Sequence, residues 1–292
     1  MRTGGRMQGT TVRGVGLVLA VASALTGVAA CTSPDSSDGP GKDDDRAAHG
    51  RSLAALRSAE RATQRAGSAR VESTTTMGAL MSMTADGTLG WGDAITGTLT
   101  ITYTGGTLAD TMRRLGSTSM EARYLPDAYY ARMGEKFAEQ AGGKHWIRYA
   151  YEDLEAVAGG SGAHLGDQMR TTTPNQSVKL LLASGDVRKA GEESVRGRPA
   201  THYSGTVAAA DVTDAALKKQ LIEAGVTTET VDIWIDERNL LVKKVEKARM
   251  STGLMTQTAH YGDYGVPVRA QRPPRSDTGD FEDLMRKKAG TP

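Results

Sequence analysis

The sequence predicts an α+β fold: a strongly curved antiparallel sheet, closed or half-closed, with helices packed on its concave side. Three observations support this class. Apolar and polar residues alternate with period two along much of the chain. Short glycine-containing turns separate the alternating segments, as expected for antiparallel neighbours. About ten strands are predicted, and because strands twist, a sheet of that width cannot stay flat.

The first half of the folded part predicts one helix followed by six strands. Small and apolar residues recur at three- and four-residue steps over Ser52–Ala66, and Gly67 ends that run. Ala69–Met77 and Ile95–Tyr103 alternate most clearly, with threonine on the side opposite the apolar residues. Shorter strands are predicted at Met81–Leu89, Ser119–Tyr124, Ala128–Met133 and His145–Tyr149.

The second half predicts a loop, two helices and five strands. Residues 156–168 contain Gly-Gly-Ser-Gly and no periodicity, which indicates a loop. Thr173 and Pro174 are expected to begin a helix as N-cap and first-turn residue. The remaining elements are a hairpin of Asp186–Val195 and Pro199–Val207, a helix over Val212–Ala224, and strands at Thr230–Asp236, Leu240–Met250 and Leu254–Tyr261.

The first 31 residues predict export and lipidation. Three arginines precede a short apolar run, Val15–Leu25, and Val-Ala-Ala leads directly into Cys31. This order is typical of a bacterial lipoprotein signal peptide over residues 1–30, after which diacylglyceryl-Cys31 would hold the protein at the outer face of the cell membrane. The alternatives are ordinary secretion with a chance cysteine and an uncleaved membrane helix, although the run is shorter than the roughly 20 residues a span needs.

Composition narrows the classes further. Residues 1–30 carry three arginines and no acidic residue, so their removal changes the formal charge from +2 to −1 and leaves no signature of nucleic-acid binding. Cys31 is the only cysteine, so we expect no disulfide or thiolate site in the folded part. Polar, Asp- and Gly-rich residues 31–50 predict a lipidated cysteine with a flexible tether, residues 51–275 the folded domain, and residues 276–292 a polar tail.

Three segments in the second half resemble one family. Val195–Val207, read V-R-G-R-P-A-T-H-Y-S-G-T-V, is similar to a hairpin of actinobacterial lipoproteins of the LppX/LprG type. Thr230–Glu237 resembles the next strand, and Tyr261–Val268 resembles a closing Y-x-D-Y-G-x-P-V element. With the upstream lipobox, the resemblance covers about Ser52–Pro273 and is weaker before Tyr149 than after it.

This resemblance implies a fold and a function. The family is similar to LolA and LolB, so a half-open β-barrel of about ten or eleven strands is expected to close over helices. It implies that the protein binds or carries a lipid or another apolar ligand at the cell envelope. The alternative is an envelope module that docks to a protein partner and holds no ligand.

Motifs for catalysis, cofactors and metals are missing from the sequence. There is no nucleophile elbow, no Gly-rich phosphate loop and no metal-ligand spacing among the five histidines. We therefore predict no enzyme and no cofactor. A hydrolase is the weakest alternative, because no nucleophile–base pair can be named.

The predicted ligand cavity is lined by apolar residues on the inner faces of the strands and helices, although an ordinary core would need many of the same residues. Met77, Met81 and Met83 are placed at its mouth, because methionine suits adaptable surfaces. The full predicted lining is Val71, Met77, Met81, Met83, Leu89, Ile95, Leu99, Ile101, Leu181, Leu221, Val231, Ile233 and Ile235.

Several polar residues of the second half are predicted to have structural rather than catalytic roles. His202 is expected to fix its hairpin through a hydrogen bond. Asp232 and Asp236 are expected to lie on a polar strand face, with a calcium or acid–base role as the alternative. Four cations within residues 243–249 are expected to be solvated beside Glu246, with contact to anionic headgroups as the alternative. They are Lys243, Lys244, Lys247 and Arg249.

Overall fold

The computed structural model describes residues 40–153, 173–250 and 253–289. The strands are β1 (Ser68–Met77), β2 (Met81–Trp91), β3 (Ile95–Gly105), β4 (Ser119–Tyr124), β5 (Ala128–Arg132), β6 (Trp146–Ala150), β7 (Arg188–Val195), β8 (Arg198–Ala208), β9 (Val226–Asp236), β10 (Leu241–Met250), β11 (Gly253–Gly262) and β12 (Thr278–Asp280). The helices are α1 (Pro40–Ala66), α2 (Gly106–Arg114), α3 (Glu135–Gln140), α4 (Pro174–Leu182), α5 (Ala215–Glu223) and α6 (Phe281–Ala289). No helix in these ranges is both long and apolar enough to cross a membrane.

All twelve strands belong to one curved sheet, in the order β12-β6-β5-β4-β3-β2-β1-β11-β10-β9-β8-β7. Neighbouring strands are antiparallel except β12, which pairs parallel to β6. The early strand β1 pairs with the late strand β11, with Val71 opposite Tyr261, and thereby joins the two halves of the chain. The predicted α+β class with a strongly curved antiparallel sheet is confirmed. Within the described residues the sheet has twelve strands rather than the predicted ten or eleven.

Helices α1, α4 and α5 pack on one face of the sheet, which we call the inner face. Leu56 of α1 and Leu181 of α4 are fully buried together with Ile233 of β9. The Thr63 side chain of α1 accepts a 3.3 Å hydrogen bond from the Leu241 backbone N–H, and its carbonyl accepts one from the Trp91 indole at 3.0 Å. Apolar burial and these bonds fix the helices on strands β8 to β11 and β1.

Glycines allow close backbone approaches at two places. A Cβ on Gly205 of β8 would lie 2.8 Å from Leu181, so α4 packs on the sheet where no side chain intervenes. Gly87 and Gly97, with φ of 157° and 150°, lie on the neighbouring strands β2 and β3. A Cβ on Gly87 would lie 2.1 Å from the Thr98 carbonyl oxygen. Such strand glycines mark tight bends, which suits a curved sheet.

Both ends of the predicted domain need correction. Helix α1 begins at Pro40, so residues 40–50 of the predicted tether are helical. The predicted polar tail also folds, because β12 extends the sheet and the Phe281 ring of α6 packs 4.8 Å from Tyr149. Helices α2 and α3 were not predicted. The Thr173 position is confirmed as N-cap of α4, but its side chain makes no capping hydrogen bond.

Several sequence predictions fall outside the described residues. They are the signal peptide, Cys31 and the Gly-Ser loop at residues 156–168.

Phe281 should contribute to stability although it lies in the predicted tail. Phe281→Ala removes the contact with Tyr149, and we expect it to lower the free energy of unfolding by about 1–3 kcal/mol, less than a fully buried phenylalanine would cost. Urea unfolding followed by circular dichroism measures this. The matched control is Met285→Ala in the same helix, where the side chain is 43% exposed and a change within about 0.5 kcal/mol is expected. Equal losses in both variants would contradict the assignment.

Candidate functional site on the inner face

The inner face has two halves that differ in how they are covered. From β8 through β11 to β1, helices α1, α4 and α5 form a continuous buried core with the strands. From β2 to β6 the cluster consists of strand residues together with Met133, Tyr151 and Phe281, and many of its side chains are only partly buried. Leu89 contacts both clusters and lies between them. The second half is therefore the more open part of this face in the described residues.

Five of the nine tyrosines converge on the second half, and we call this group with Phe281 the tyrosine zone. Tyr124 packs edge-on to Tyr129 with ring centroids 5.1 Å apart, and Tyr129 lies 5.7 Å from Tyr149. Methionines 83, 120 and 133 border these rings. The zone comprises Tyr103, Tyr124, Tyr129, Tyr149, Tyr151 and Phe281. It forms an aromatic surface that carries polar hydroxyl tips.

The hydroxyl groups of this zone lie in apolar surroundings and near one another. Burial raises the pKa of Tyr149 to about 12, with a smaller contribution from Tyr103. Burial also raises the pKa of Tyr124 and Tyr129, and neighbouring tyrosine hydroxyls add to both shifts. The Tyr103 hydroxyl donates to the Met120 sulfur at 3.6 Å. All these phenols are neutral at physiological pH, so they can donate and accept hydrogen bonds without carrying charge.

A buried ionic group lies on the first half of the inner face. Glu229, Lys244 and Glu246 are only 5, 5 and 7% exposed, and the Lys244 ammonium lies 2.7 Å from the Glu246 carboxylate. Burial opposes the charge on Lys244, but Glu246, together with Tyr261 and Glu229, outweighs this effect and raises the pKa of Lys244. Burial and then Glu246 raise the pKa of Glu229 to about 8, against the effect of Lys244. Glu229 is therefore protonated at neutral pH.

A β-bulge in β10 determines which cations lie in this ionic group. Leu241 pairs with Ile235, but Lys243 pairs with Trp234, so Val242 is the extra residue. The shift turns Lys244 inward and Lys243 outward, where its ammonium lies 3.8 Å from the Trp234 ring centroid. The expectation that all four cations are solvated is thus wrong for Lys244, and Glu246 is buried with it. Lys247 and Arg249 are exposed as predicted.

The outer face carries polar residues with structural contacts. His202 stacks on Trp234 at 4.2 Å between ring centroids, and its Nε2 lies 2.9 Å from an Asp232 oxygen. Its Nδ1 lies 3.3 Å from Glu193, on the first strand of the hairpin. The hydrogen bond of His202 therefore joins β8 to β9, outside the predicted hairpin, whereas its contact with Glu193 lies within the hairpin. Asp236 accepts backbone N–H bonds from Arg238 and Leu240 in the following turn, at 3.0 and 2.8 Å.

The cavities that stand out among the described residues lie outside the inner core. One of about 170 Å³ is bordered by Glu72, Arg196 and His260, where Arg196 forms a two-bond ion pair with Glu72 at 2.8 and 3.0 Å. None of the predicted lining residues borders these cavities. In the same described part, no group of three or more His, Cys, Asp or Glu residues is arranged to hold a metal ion.

Comparison with known proteins identifies the family. The chain is 56% identical over 296 residues to a Streptomyces coelicolor protein described as "Putative lipoprotein SCO4650", covering 96% of this chain and 98% of that protein. The chain belongs to this Streptomyces lipoprotein family. A 31.2 kDa Streptomyces griseus protein from the rplA–rplJ intergenic region is 51% identical over 251 residues, covering 82% of each chain. No family model matches the sequence.

Two solved structures of lipoproteins are distantly similar in fold. Mycobacterium tuberculosis LppX aligns with a TM-score of 0.48 and 16% identity, covering 76% of this chain and 99% of LppX. Mycobacterium bovis LprF aligns with a TM-score of 0.45 and 15% identity, covering 77% of this chain and 97% of LprF. The relationship to lipoproteins that the motifs predict is confirmed by the Streptomyces coelicolor relative. What this chain binds has to be argued from its own residues.

The predicted lining residues divide between the two halves. Val71, Leu181, Leu221, Val231, Ile233 and Ile235 belong to the core under the helices. Met83, Leu89, Leu99 and Ile101 belong to or border the tyrosine zone. Met77 pairs with both Met81 and Met255 at the end of the sheet, and Ile95 is buried near the opposite end of β3. Their role as ligand contacts stays a prediction.

The tyrosine zone was not predicted as a site. Its residues were assigned to strands, but their convergence depends on the cross-strand registers of β3 to β6 and on the folded tail. A sequence signal was present, because more than half of the tyrosines fall within residues 103–151.

Glu229 should make stability depend on pH. Its pKa in the folded state, about 8, exceeds the ordinary glutamate pKa of 4.5, so the folded protein retains a proton that the unfolded chain releases. The resulting stabilisation is complete below pH 4.5 and is lost as pH rises through 8. At about 1.4 kcal/mol per pH unit, we expect the stability of the wild type to fall by about 3–4 kcal/mol between pH 5 and pH 8, and Glu229→Gln to abolish this fall. Urea unfolding at several pH values measures this.

Glu237→Gln is the matched control, because Glu237 is exposed in the turn after β9. The free energy of unfolding of this variant should depend on pH in the same way as that of the wild type. Parallel stability curves for the wild type and Glu229→Gln would show that the buried carboxyl does not titrate in this range.

Proposed function

We propose that this protein is a non-enzymatic lipoprotein of the cell envelope that binds a lipid or another apolar ligand against the tyrosine zone. Diacylglyceryl-Cys31 would anchor it to the outer face of the cell membrane. The observation that carries the proposal is the uneven covering of the inner face. Helices seal the half from β8 to β1, whereas the half from β2 to β6 presents partly exposed aromatic and methionine side chains.

The dimensions and chemistry of this half suit an acyl chain. Four strand spacings of about 4.8 Å separate β2 from β6, which makes the half about 19 Å wide. Each buried CH₂ contributes about 0.8 kcal/mol, so ten methylenes supply about 8 kcal/mol, or micromolar affinity before ordering costs. Flexible Met83, Met120 and Met133 can adapt to different chains. The tyrosine hydroxyls could bond polar groups of the same ligand.

Only some of the predicted lining residues lie in the more open half and are proposed to contact a ligand. Met83 and Leu89, which are partly buried, are proposed as ligand contacts, with Met77 and Met81 near an opening at the end of the sheet. Leu99 and Ile101 are each 7% exposed and are proposed to support these contacts from the buried part of the same cluster. Leu181, Val231 and Ile233 are fully buried under the helices and are proposed to support the fold. A ligand reaching them would have to displace packed core residues.

Membrane anchoring is proposed from the lipobox and supported by the lipoprotein name of the Streptomyces coelicolor relative. A diacylated cysteine buries two acyl chains, which makes dissociation from a bilayer negligible, whereas one chain binds reversibly. The protein would therefore act at the membrane to which it is exported.

Ligand binding can be tested by placing a charge on the inner face. Met83→Asp puts a carboxylate beside the tyrosine zone, and we expect at least a tenfold loss of affinity for a dansyl-labelled undecanoic acid followed by fluorescence. The parent form for these measurements starts at residue 31 and carries Cys31→Ser, so that it is not lipidated. Native mass spectrometry of this parent form should show co-purified lipid. Circular dichroism must confirm that the variant is folded.

Thr84→Asp is the matched control, because Thr84 is the next residue of β2 and is exposed on the outer face. Its affinity should stay within twofold of wild type. If the wild type neither carries lipid nor binds the probe, the ligand-binding proposal is overturned, and a docking module becomes the better explanation.

Anchoring needs a separate experiment. In a host that processes lipoproteins, Cys31→Ser should move the full-length protein from the washed membrane fraction to the soluble or secreted fraction, because the thiol is the lipid acceptor. Mass spectrometry of the wild-type N-terminal peptide should show the diacylglyceryl modification. Equal membrane retention of the two forms would contradict a lipid anchor at this residue.

A further inference from the structure

Exposed large apolar side chains are concentrated at one end of the sheet. In the described ranges such residues are Leu80, Ile222, Leu254 and Met285, with exposed fractions of 51, 58, 54 and 43%. Met285 lies on α6 near the β12 edge. The other three lie at the end where β1 turns into β2 and where Met250 of β10 pairs with Gly253 of β11. We call Leu80, Ile222 and Leu254 the apolar rim.

The strand pairing and the backbone hydrogen bonds place these three residues at the same end of the sheet. The Gly78 N–H, in the β1–β2 turn beside Leu80, donates to the Leu254 carbonyl at 3.3 Å. Ile222 lies near the end of α5, four residues before Val226, which pairs with Met250 at the end of β10. Leu254 is the second residue of β11, directly after Gly253, which pairs with Met250. Three separate elements therefore present an exposed apolar side chain at the same end of the sheet.

Leu80 is held in place by helix α2. The Thr107 and Leu108 N–H groups donate to the carbonyls of Ala79 and Leu80 at 3.1 and 3.0 Å. The Leu80 N–H donates to the Met77 carbonyl at 3.0 Å. The backbone of the turn is thus fixed while the Leu80 side chain stays in solvent. Rigid exposure of several apolar residues is typical of an interaction surface.

Helix α1 begins toward the same end. Its residue His49 bonds through Nδ1 to the Val187 carbonyl at 3.0 Å, just before β7, whereas Ala66 precedes β1 at the opposite end. Only nine chain steps separate Cys31 from Pro40, which span at most about 32 Å when fully extended. A lipid at Cys31 would therefore tether Pro40, the end of α1 that points toward the apolar rim, within about 32 Å of the bilayer.

Charge at the rim complements an anionic bilayer. Lys247 and Arg249 are exposed on the outer side of β10, and Arg249 pairs directly with Leu254 in the strand register. Within the described part of the chain, neither of them forms an ion pair. Cations next to an apolar patch favour membranes that contain anionic lipids.

We propose that the apolar rim is a membrane-contact surface: Leu80, Ile222 and Leu254 enter the headgroup region of the anchoring bilayer while Lys247 and Arg249 meet anionic headgroups. The proposal rests on lipidation of Cys31 for its orientation, but not on ligand binding by the tyrosine zone. Contact at the rim would hold the open end of the sheet, with Met77 and Met81, against the lipid surface.

Vesicle sedimentation tests the contact without the anchor. The protein from residue 31 with Cys31→Ser should bind vesicles of phosphatidylglycerol and phosphatidylcholine, and less tightly at high salt or with phosphatidylcholine alone. The combined Leu80→Ser and Leu254→Ser variant should bind at least tenfold more weakly, and Arg249→Glu at least threefold. These side chains are exposed, so thermal unfolding should be unchanged.

Met285→Ser is the matched control, since it removes an equally exposed apolar side chain away from the rim, and it should bind within twofold of wild type. Absence of wild-type binding at excess phosphatidylglycerol, or equal losses in the control and rim variants, overturns the proposal. So does a rim variant that converts a dimer into a monomer in ultracentrifugation, because the rim would then join two copies. The rim variants should still bind the fatty-acid probe as the wild type does. Vesicle binding and ligand binding can then be judged independently of each other.

Discussion

The structure depends on the need to cover one apolar face of a twelve-stranded sheet. The pairing of β1 with β11 makes that face continuous across both halves of the chain, so it is too wide for a few short helices. Helices α1, α4 and α5 seal one half, with α4 seated over Gly205. In the other half, tyrosine and methionine side chains cover the strands. The asymmetry that supports ligand binding follows from this division.

A single extra residue changes the chemistry of the sealed half. Because Val242 bulges out of β10, Lys244 and Glu246 point inward and Lys243 covers Trp234 on the outer face. A buried ion pair stabilises a fold little, since desolvation offsets most of the attraction between the charges. Its two charges nevertheless have to stay together, because removing either one leaves the other buried and unpaired. The pair therefore constrains the register of β10 more than it adds stability.

The sequence predicted strands correctly where one face of the strand is exposed to solvent. Thr96, Thr98 and Thr100 alternate with buried residues of β3, and this pattern located both the strand and its inner side. The alternation of polar and apolar residues gave wrong predictions where burial depends on residues far apart in the sequence. Lys244 looks solvated until the bulge is known, and the early part of α1 looks like a tether because residues 44–48 are exposed. The β12 strand has three residues, too few for a periodic signal.

The tyrosine zone and the ionic group differ in what they could offer a ligand. The phenols are neutral and carry their polar atoms at the tips of apolar rings, so an apolar chain could lie along the rings without stripping water from a charge. The Lys244–Glu246 pair already satisfies its own charges, and Glu229 is neutral at pH 7. Neither group provides an unpaired inner charge to which a strongly ionic ligand could bind. The inner face is therefore suited to ligands that are apolar or carry uncharged polar groups, while cations that could meet anionic lipids lie outside, at Lys247 and Arg249.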